Sequence, residues 1–345
     1  MKKYLALLLA AMMIVALAAG CGNDSANGGN SDKTFKIGMV TDVGGVNDKS
    51  FNQTSWEGLQ ALKAADSRFE VQYLESKTDA DYQGNIETFM DEGYDLIICV
   101  GYMLATATKE AATAHPDQQF AIIDDSTIDL PNVACLMFAQ NQASYLVGLV
   151  AGMMTESNTV GYVQGMFSES MNQFAVGYIS GVKAANPEAE ILQYNANSFG
   201  DAAVGKTAAV DMITKGADVI YHAAGGTGSG VIEGCKENGI WAIGVDSDQS
   251  PLAPENVITS AMKRVDSAVQ DISKQVADGK FEAGIHMYDL SNEGVGIAPT
   301  QTLLPENVVS AVNDAMAKIQ AGEITVPNSP EELEAIYPGV FALTE

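Results

Sequence analysis

Basic residues, cysteines and histidines are scarce in this 345-residue chain, and each scarcity closes off a class of function. Only 18 Lys and Arg stand against 44 Asp and Glu, a formal net charge of -26. A surface so acidic repels phosphate backbones and anionic head groups, which argues against a nucleic-acid partner. The four cysteines are Cys21, Cys99, Cys135 and Cys235. The last three are odd in number, and Cys99 and Cys135 lie in apolar strand-like runs, so they read as buried small hydrophobes. No CxxC or Cys/His spacing offers a metal site. The three histidines, His115, His222 and His286, fall near a helix end, inside a strand and late in the chain, too scattered for a Ser-His-Asp set. No catalytic residues, metal or cofactor are expected. Beyond the first twenty residues, no apolar run reaches the roughly 20 residues a membrane-spanning helix needs.

Those first twenty residues are unlike the rest. Lys2 and Lys3 precede an apolar run from Tyr4 to Ala18, and Ala19-Gly20-Cys21 follows. The layout is that of an export signal ending in small residues, cut before a cysteine that then carries lipid. Ala18 stands where a lipobox usually has Leu, and Leu17 sits one place early. Cleavage would take Lys2 and Lys3 away and leave 16 basic residues against 44 acidic ones. Gly22 to Lys33 is a Gly/Asn/Ser/Asp spacer of the kind that tethers a domain above a membrane. The expectation is a lipid-anchored protein on the extracytoplasmic face of the cell membrane.

From Lys36 onward, short β-like runs alternate with amphipathic stretches. FKIGMVT (35–41), FEVQYLES, DLIICVG and QFAIID (119–124) read as strands, with helices near 50–65, 79–92 and 103–114 between them. NVACLMF and a Gly/Ala-rich helix at about 142–155 follow. The pattern then restarts with VGYVQGM, EILQYNAN, DVIYHAAG and WAIGVDS, separated by helices ending near Ala185, Lys215 and Asn238. Strands alternating with helices give a parallel sheet covered on both faces, and two such series give two similar lobes. The later strands NVITSAMK, IHMYDL and GVGIAP require the chain to cross between lobes near 140, 264 and 287. One lobe is then 34–140 with 264–286, the other 141–263 with 287–325, and 326–345 is left as a tail. Ligands of doubly wound sheets sit beyond the carboxyl ends of the strands, so function should lie in the post-strand loops.

The loop after the first strand carries Asp42, two glycines and Phe51 at the next helix start, a carboxylate and a ring suited to a flat polar ligand. Asp48 or Ser50 capping that helix, with Phe51 in the core, is the plainer alternative. The fourth strand ends in Asp124-Asp125; side chains alternate along a strand, so one faces the cleft, and Asp125, being later, is the better candidate. After the first strand of the second series either Phe167 or Phe174 could reach the cleft, although Phe174, at helical spacing from Tyr178, reads more like core. In the next loop Phe199 points into the cleft opposite Phe51, a place for which Phe174 competes. Asp246 and Lys263 end adjacent strands, where a carboxylate and an ammonium can share sugar hydroxyls or simply pair with each other.

Gly200 to Thr207 spells a complete G-x-x-x-x-G-K-T. It is rejected as a phosphate loop: an exported protein has no ATP supply, and Ala202 to Val204 read as helix where such a loop stays open. Gly225-Gly226-Thr227-Gly228-Ser229-Gly230 lets backbone amides approach a ligand but lacks dinucleotide spacing. Paired carboxylates for glycoside cleavage are conceivable with Asp42, Asp125 and Asp246, but sequence does not fix their separation.

The strings TDVGGVNDKSFNQTSWEGL (41–59), FAIIDD (120–125), SFGDAAVGKTAA (198–209), AAGGTGSGV (223–231), IGVDSDQS (243–250) and TSAMK (259–263) run in order through the body. In them the chain resembles the basic membrane protein family of substrate-binding lipoproteins, which includes purine nucleoside receptors. The resemblance implies a type I periplasmic-binding-protein fold delivering a nucleoside to an ABC permease. It also implies a base stacked between Phe51 and Phe199, its edges held by Asp42 and Asp125 with Asn52 in the same set. The ribose would be held by Asp246, Lys263 and the loop with Gly225 and Gly226. A binder of sugars or another small ligand on the same fold is the second reading, and a nucleoside hydrolase the third.

Overall fold

The computed structural model describes residues 33–344; the expected export signal, the lipidation site at Cys21 and the spacer through residue 32 lie outside them, as does Glu345. The first series comprises β1 (Phe35–Val40), α1 (Phe51–Ala65), β2 (Phe69–Leu74), α2 (Asp81–Asp91), β3 (Leu96–Cys99), α3 (Ala105–Ala114), β4 (Gln119–Ile123) and β5 (Val133–Phe138). The second comprises α4 (Gln140–Met154), β6 (Thr159–Gln164), α5 (Glu169–Ala185), β7 (Glu190–Asn195), α6 (Ala202–Thr214), β8 (Val219–Ala223), α7 (Gly225–Asn238), β9 (Trp241–Asp246) and β10 (Val257–Lys263). After these come α8 (Val265–Ala277), β11 (Gly284–Tyr288), β12 (Val295–Ile297), α9 (Glu306–Gln320) and α10 (Pro330–Ile336).

Each series supplies five strands of a six-stranded sheet and the later segment the sixth, ordered β11-β5-β4-β3-β1-β2 in one lobe and β12-β10-β9-β8-β6-β7 in the other. The orders match strand for strand. All pairings are parallel except that of β12 with β10. The run LIIC in β3 shows why such strands are apolar throughout: all four residues are buried. Leu96 and Ile98 join α1's Leu59 and Leu62 on one face, while Ile97 and Cys99 join α2's Ile86 and Phe89 on the other. A strand covered on both faces has no side left for polar residues. Cys99, Cys135 and Cys235 are free and buried, the role of small hydrophobes.

Two details differ from the sequence reading. The third change of sheet falls after Tyr288 rather than at 287, because β11 pairs with β5 through Tyr288 and Phe138. The segment left as a tail is built into the second lobe. Ser329 caps α10 by accepting from the Glu332 backbone N–H, and Val326, Leu333 and Leu343 are all buried. Asn141 on α4 donates to the Val326 and Pro327 carbonyls, and Gln193 on β7 donates to that of Val340. Its apolar residues are broken up by Pro327, Pro330 and Pro338 into runs too short to show a period, so this strap could be recognised only from the surface it covers.

Candidate functional site

The carboxyl ends of both sheets face a cavity between the lobes, with about 490 Å³ of non-atom space once its opening to solvent is included. From the first lobe, Asp42 follows β1. Its Oδ1 accepts from the Gly44 backbone N–H and from Asn52 Nδ2, both at 2.8 Å. Asp48 caps α1: its carboxylate accepts the N–H groups of Ser50, Asn52 and Gln53 at 2.8–3.1 Å, and Asn52 Nδ2 at 3.0 Å. Capping thus belongs to Asp48, while Phe51 is half-buried and lines the cavity.

At the end of β4 it is Asp124, not Asp125, that lines the cavity. Asp124 adopts a left-handed backbone, φ 67°, which breaks the side-chain alternation from which Asp125 was chosen. Asp125 instead accepts from the backbone N–H and hydroxyl of Thr127, closing its own turn. At the matching place in the second lobe, Asp246 ends β9 with φ 65°. Two acids at equivalent strand ends are therefore aimed by the same backbone device.

From the second lobe, Lys263 is 1% exposed. Its ammonium lies 2.5 Å from Asp124 Oδ2 in the facing lobe and 5.0–5.3 Å from the ring centres of Phe51, Phe138 and Phe174. Three ring faces and one carboxylate compensate the loss of water around it. Phe174 and Phe199 both line the cavity, in different states: Phe174 is 4% exposed, packed in the core and against Lys263, whereas Phe199 is half-buried. The Phe199 ring lies over Gly165, where a Cβ would fall 2.4 Å from it. Gly225 lines the cavity, but Gly226 does not: it sits in the seam, where an added Cβ would meet the Phe199 carbonyl at 3.2 Å and Asp48 at 3.7 Å.

Gly101 and Tyr102 also line the cavity and were missed. They follow β3, so the post-strand rule could have found them. At φ 107°, Gly101 leaves open the space beside Asp42 Oδ2 and the Phe51 ring, 3.2 and 3.5 Å from where a Cβ would stand.

Two further hydrogen bonds bridge the lobes. Ser50 donates its hydroxyl to Asp246, and Gln249 Nε2 donates to the Lys49 carbonyl at 2.8 Å. His222, fully buried, faces Gln249 Oε1 at 3.0 Å from Nε2 and is not part of this cavity's lining.

Electrostatically the site is rich in acceptors. Four carboxylates, Asp42, Asp48, Asp124 and Asp246, share the lining with one cation, Lys263. Burial pushes Asp42 up to about 6, against hydrogen bonds from Asn52 and Gly44. Burial pushes Asp246 up to about 7, against the Lys263 charge and the Ser50 hydroxyl. Asn52 Oδ1 and Asp124 Oδ1 are buried with no hydrogen-bond partner among the described residues. Buried acceptors without a partner are costly, so the complementary ligand is one that brings donors: hydroxyls or ring N–H groups. Among the described residues no cluster of His, Cys, Asp and Glu is arranged to hold a metal ion.

The G-x-x-x-x-G-K-T string takes another role. α6 begins at Ala202, capped by Asp201, which accepts the Ala203 and Val204 N–H groups. Lys206 turns outward to Glu233 and Glu237 on α7, at 3.1 and 2.8 Å. No open phosphate loop exists there.

Residues 35–330 match the family described as ABC transporter substrate-binding protein PnrA-like. The CD4+ T-cell-stimulating antigen of Listeria monocytogenes is 39% identical, over 93% of this chain and 98% of that protein. The ABC transporter nucleoside-binding protein BmpA of Lactococcus lactis is 36% identical over 95% and 99%. Basic membrane protein A of Borreliella burgdorferi is 32% identical over 97% and 98%. An ABC transporter solute-binding protein from Aeropyrum pernix shares the fold with a TM-score of 0.80 at 26% identity, covering 88% of this chain and 96% of that one. With paired α/β lobes, an interlobe cavity and this kinship along nearly its whole length, the chain belongs to the Bmp family of PnrA-like ABC transporter substrate-binding proteins.

Proposed function

We propose that the protein is the lipid-anchored, extracytoplasmic receptor of an ABC importer and that it closes on a nucleoside, a purine nucleoside by preference. The observation that carries the reading is the cavity's chemistry: orphaned acceptors at Asn52 and Asp124 in a cavity that Phe51 and Phe199 also line. A nucleoside supplies a flat base for the rings, N–H groups on the base edge for these acceptors, and ribose hydroxyls for the polar groups across the cavity. The Lactococcus lactis relative is named as nucleoside-binding, which supports the same assignment. Asp42 and Asn52 face the base edge; Asp246, Lys263 and Gly225 face the ribose. Asp124 takes the place first given to Asp125.

The same chemistry disfavours phosphorylated ligands. Lys263 is already paired with Asp124, and the N-terminus of α1 is already occupied by the Asp48 carboxylate. Anchoring through Cys21 rests on the signal-like first twenty residues and is supported by a 30%-identical Pyrococcus horikoshii relative named as a lipoprotein.

Calorimetry with inosine, uridine, ribose and inosine monophosphate tests the reading. Inosine is expected to bind at least a hundredfold more tightly than ribose or the monophosphate, and more tightly than uridine. Ribose matching inosine would overturn the nucleoside assignment in favour of a sugar receptor.

A further inference from the structure

Asp42 and Asn52 form a locked pair. Asn52 Nδ2 donates to two carboxylates, Asp42 Oδ1 at 2.8 Å and Asp48 Oδ2 at 3.0 Å, which fixes the amide orientation and leaves its Oδ1 an acceptor. Asp42 Oδ1 takes a second donor, the Gly44 N–H, at 2.8 Å. That oxygen is saturated, so a proton arriving on Asp42 must sit on Oδ2. Among the described residues Oδ2 makes no hydrogen bond; it adjoins the space that Gly101 leaves beside the Phe51 ring, at the cavity wall.

Resting on the nucleoside reading above, we propose that Asp42 Oδ2 is a proton-dependent selector of the purine edge: ionised, it accepts the N1–H of a 6-oxopurine nucleoside, and protonated, it donates to the bare N1 of a 6-aminopurine nucleoside. The two ligand classes differ at that ring nitrogen by one hydrogen. One oxygen that can be donor or acceptor serves both, and the solvent proton decides which. Binding a 6-aminopurine nucleoside to ionised protein therefore takes up one proton, whereas binding a 6-oxopurine nucleoside takes up none.

The surroundings put the switch within reach of ordinary pH. Burial is the main cause holding the Asp42 carboxyl up at about 6, and the charges of Asp48 at the head of α1 and Asp124 at the end of β4 add to it. Two further titratable groups bear on Asp42, Tyr82 from α2 and Tyr102 from the turn after β3, and burial raises both phenols, so they stay neutral. Asn52 is a positioning residue here: it holds Oδ1 so that the proton has one place to go.

The test is calorimetry with inosine and adenosine between pH 5 and pH 8, in two buffers of different ionisation enthalpy. Inosine affinity should rise as pH climbs through about 6 and then level off. Adenosine affinity should fall about tenfold per pH unit above that point, with close to one proton taken up per molecule bound at pH 7.5. Asp42→Asn should abolish the difference in proton uptake and flatten both curves. The proton count on the unaltered protein decides the matter even if that variant folds poorly. Equal proton uptake for the two ligands, or parallel pH curves, would overturn the selector while leaving nucleoside binding intact. Binding of neither nucleoside at any pH would overturn the function itself.

Discussion

The ammonium of Lys263, on the last strand of the second lobe's parallel series, lies 2.5 Å from Asp124 Oδ2 at the end of β4 in the first. Both side chains are buried, and the pair joins one lobe to the other. Breaking a buried charge pair by removing one partner is costly, because the survivor is left without compensation. Here the cost falls on the closed state, since opening the lobes rehydrates Asp124. Lys263→Met is expected to weaken nucleoside binding by about 3 kcal/mol, ~100-fold, with little change in the melting temperature of the ligand-free protein. Adding Asp124→Asn should restore part of the affinity. Calorimetry and thermal melts on the two variants check both statements, and a large fall in melting temperature would contradict the first.

Phe51, Phe174 and Phe199 line one cavity but carry different loads. Phe51→Ala is expected to weaken nucleoside binding at least tenfold and leave the fold intact, since stacking on one ring is worth about 1–3 kcal/mol. Phe199→Ala, at a half-buried ring, should behave alike. Phe174→Ala should instead cost the fold about 3 kcal/mol or more, because that side chain is 4% exposed in the core and packs on Lys263. Chemical denaturation beside ligand titration separates the two behaviours.

Asp246 gives a signed pH prediction. Burial raises its carboxyl from 3.8 to about 7. Its contribution to the folded, closed protein is therefore complete below 3.8 and lost as pH rises through about 7. His222, pushed down by burial from 6.5 to about 4, has the opposite sense: its contribution is complete above 6.5 and is lost as pH falls through about 4. The clean window for Asp246 is accordingly above pH 6.5. At pH 8, Asp246→Asn should melt higher than the unaltered protein while binding nucleoside more weakly. The gain should shrink as pH is lowered toward 5. Melting curves at several pH values read this directly.

The terminal strap yields a stability prediction. Val326, Leu333 and Leu343 of the strap are themselves buried, each worth about 2 kcal/mol by burial alone. A chain ending at Thr325 should lose several kcal/mol of stability in the second lobe, seen as a lower melting temperature. An unchanged melt would mean the strap is only laid on the surface.

The fold was legible because strand and helix runs repeat twice in the same order, and periodicity reports burial directly. The ends of strands were less so. Alternation assigns a side chain to a face only while the backbone stays extended, and Asp124 leaves that region at φ 67°. The aromatic choice was undecidable for a related reason: helical spacing marks Phe174 as core, and the structure shows it both in the core and at the cavity wall. Gly101 was overlooked because what matters there is an absent side chain.

The matched order of the two sheets bears on how a guest is oriented. Equivalent strand ends offer an unsymmetrical molecule two ways round, because β4 and β9 both finish in a carboxylate. The neighbouring pair of strands removes the degeneracy: β5 ends in the ring of Phe138 and β10 in the ammonium of Lys263, 5.1 Å from that ring's centre. Within a repeated frame a ring in one lobe thus stands where the other lobe has a cation, so two lobes alike in strand order are unlike in charge at this position.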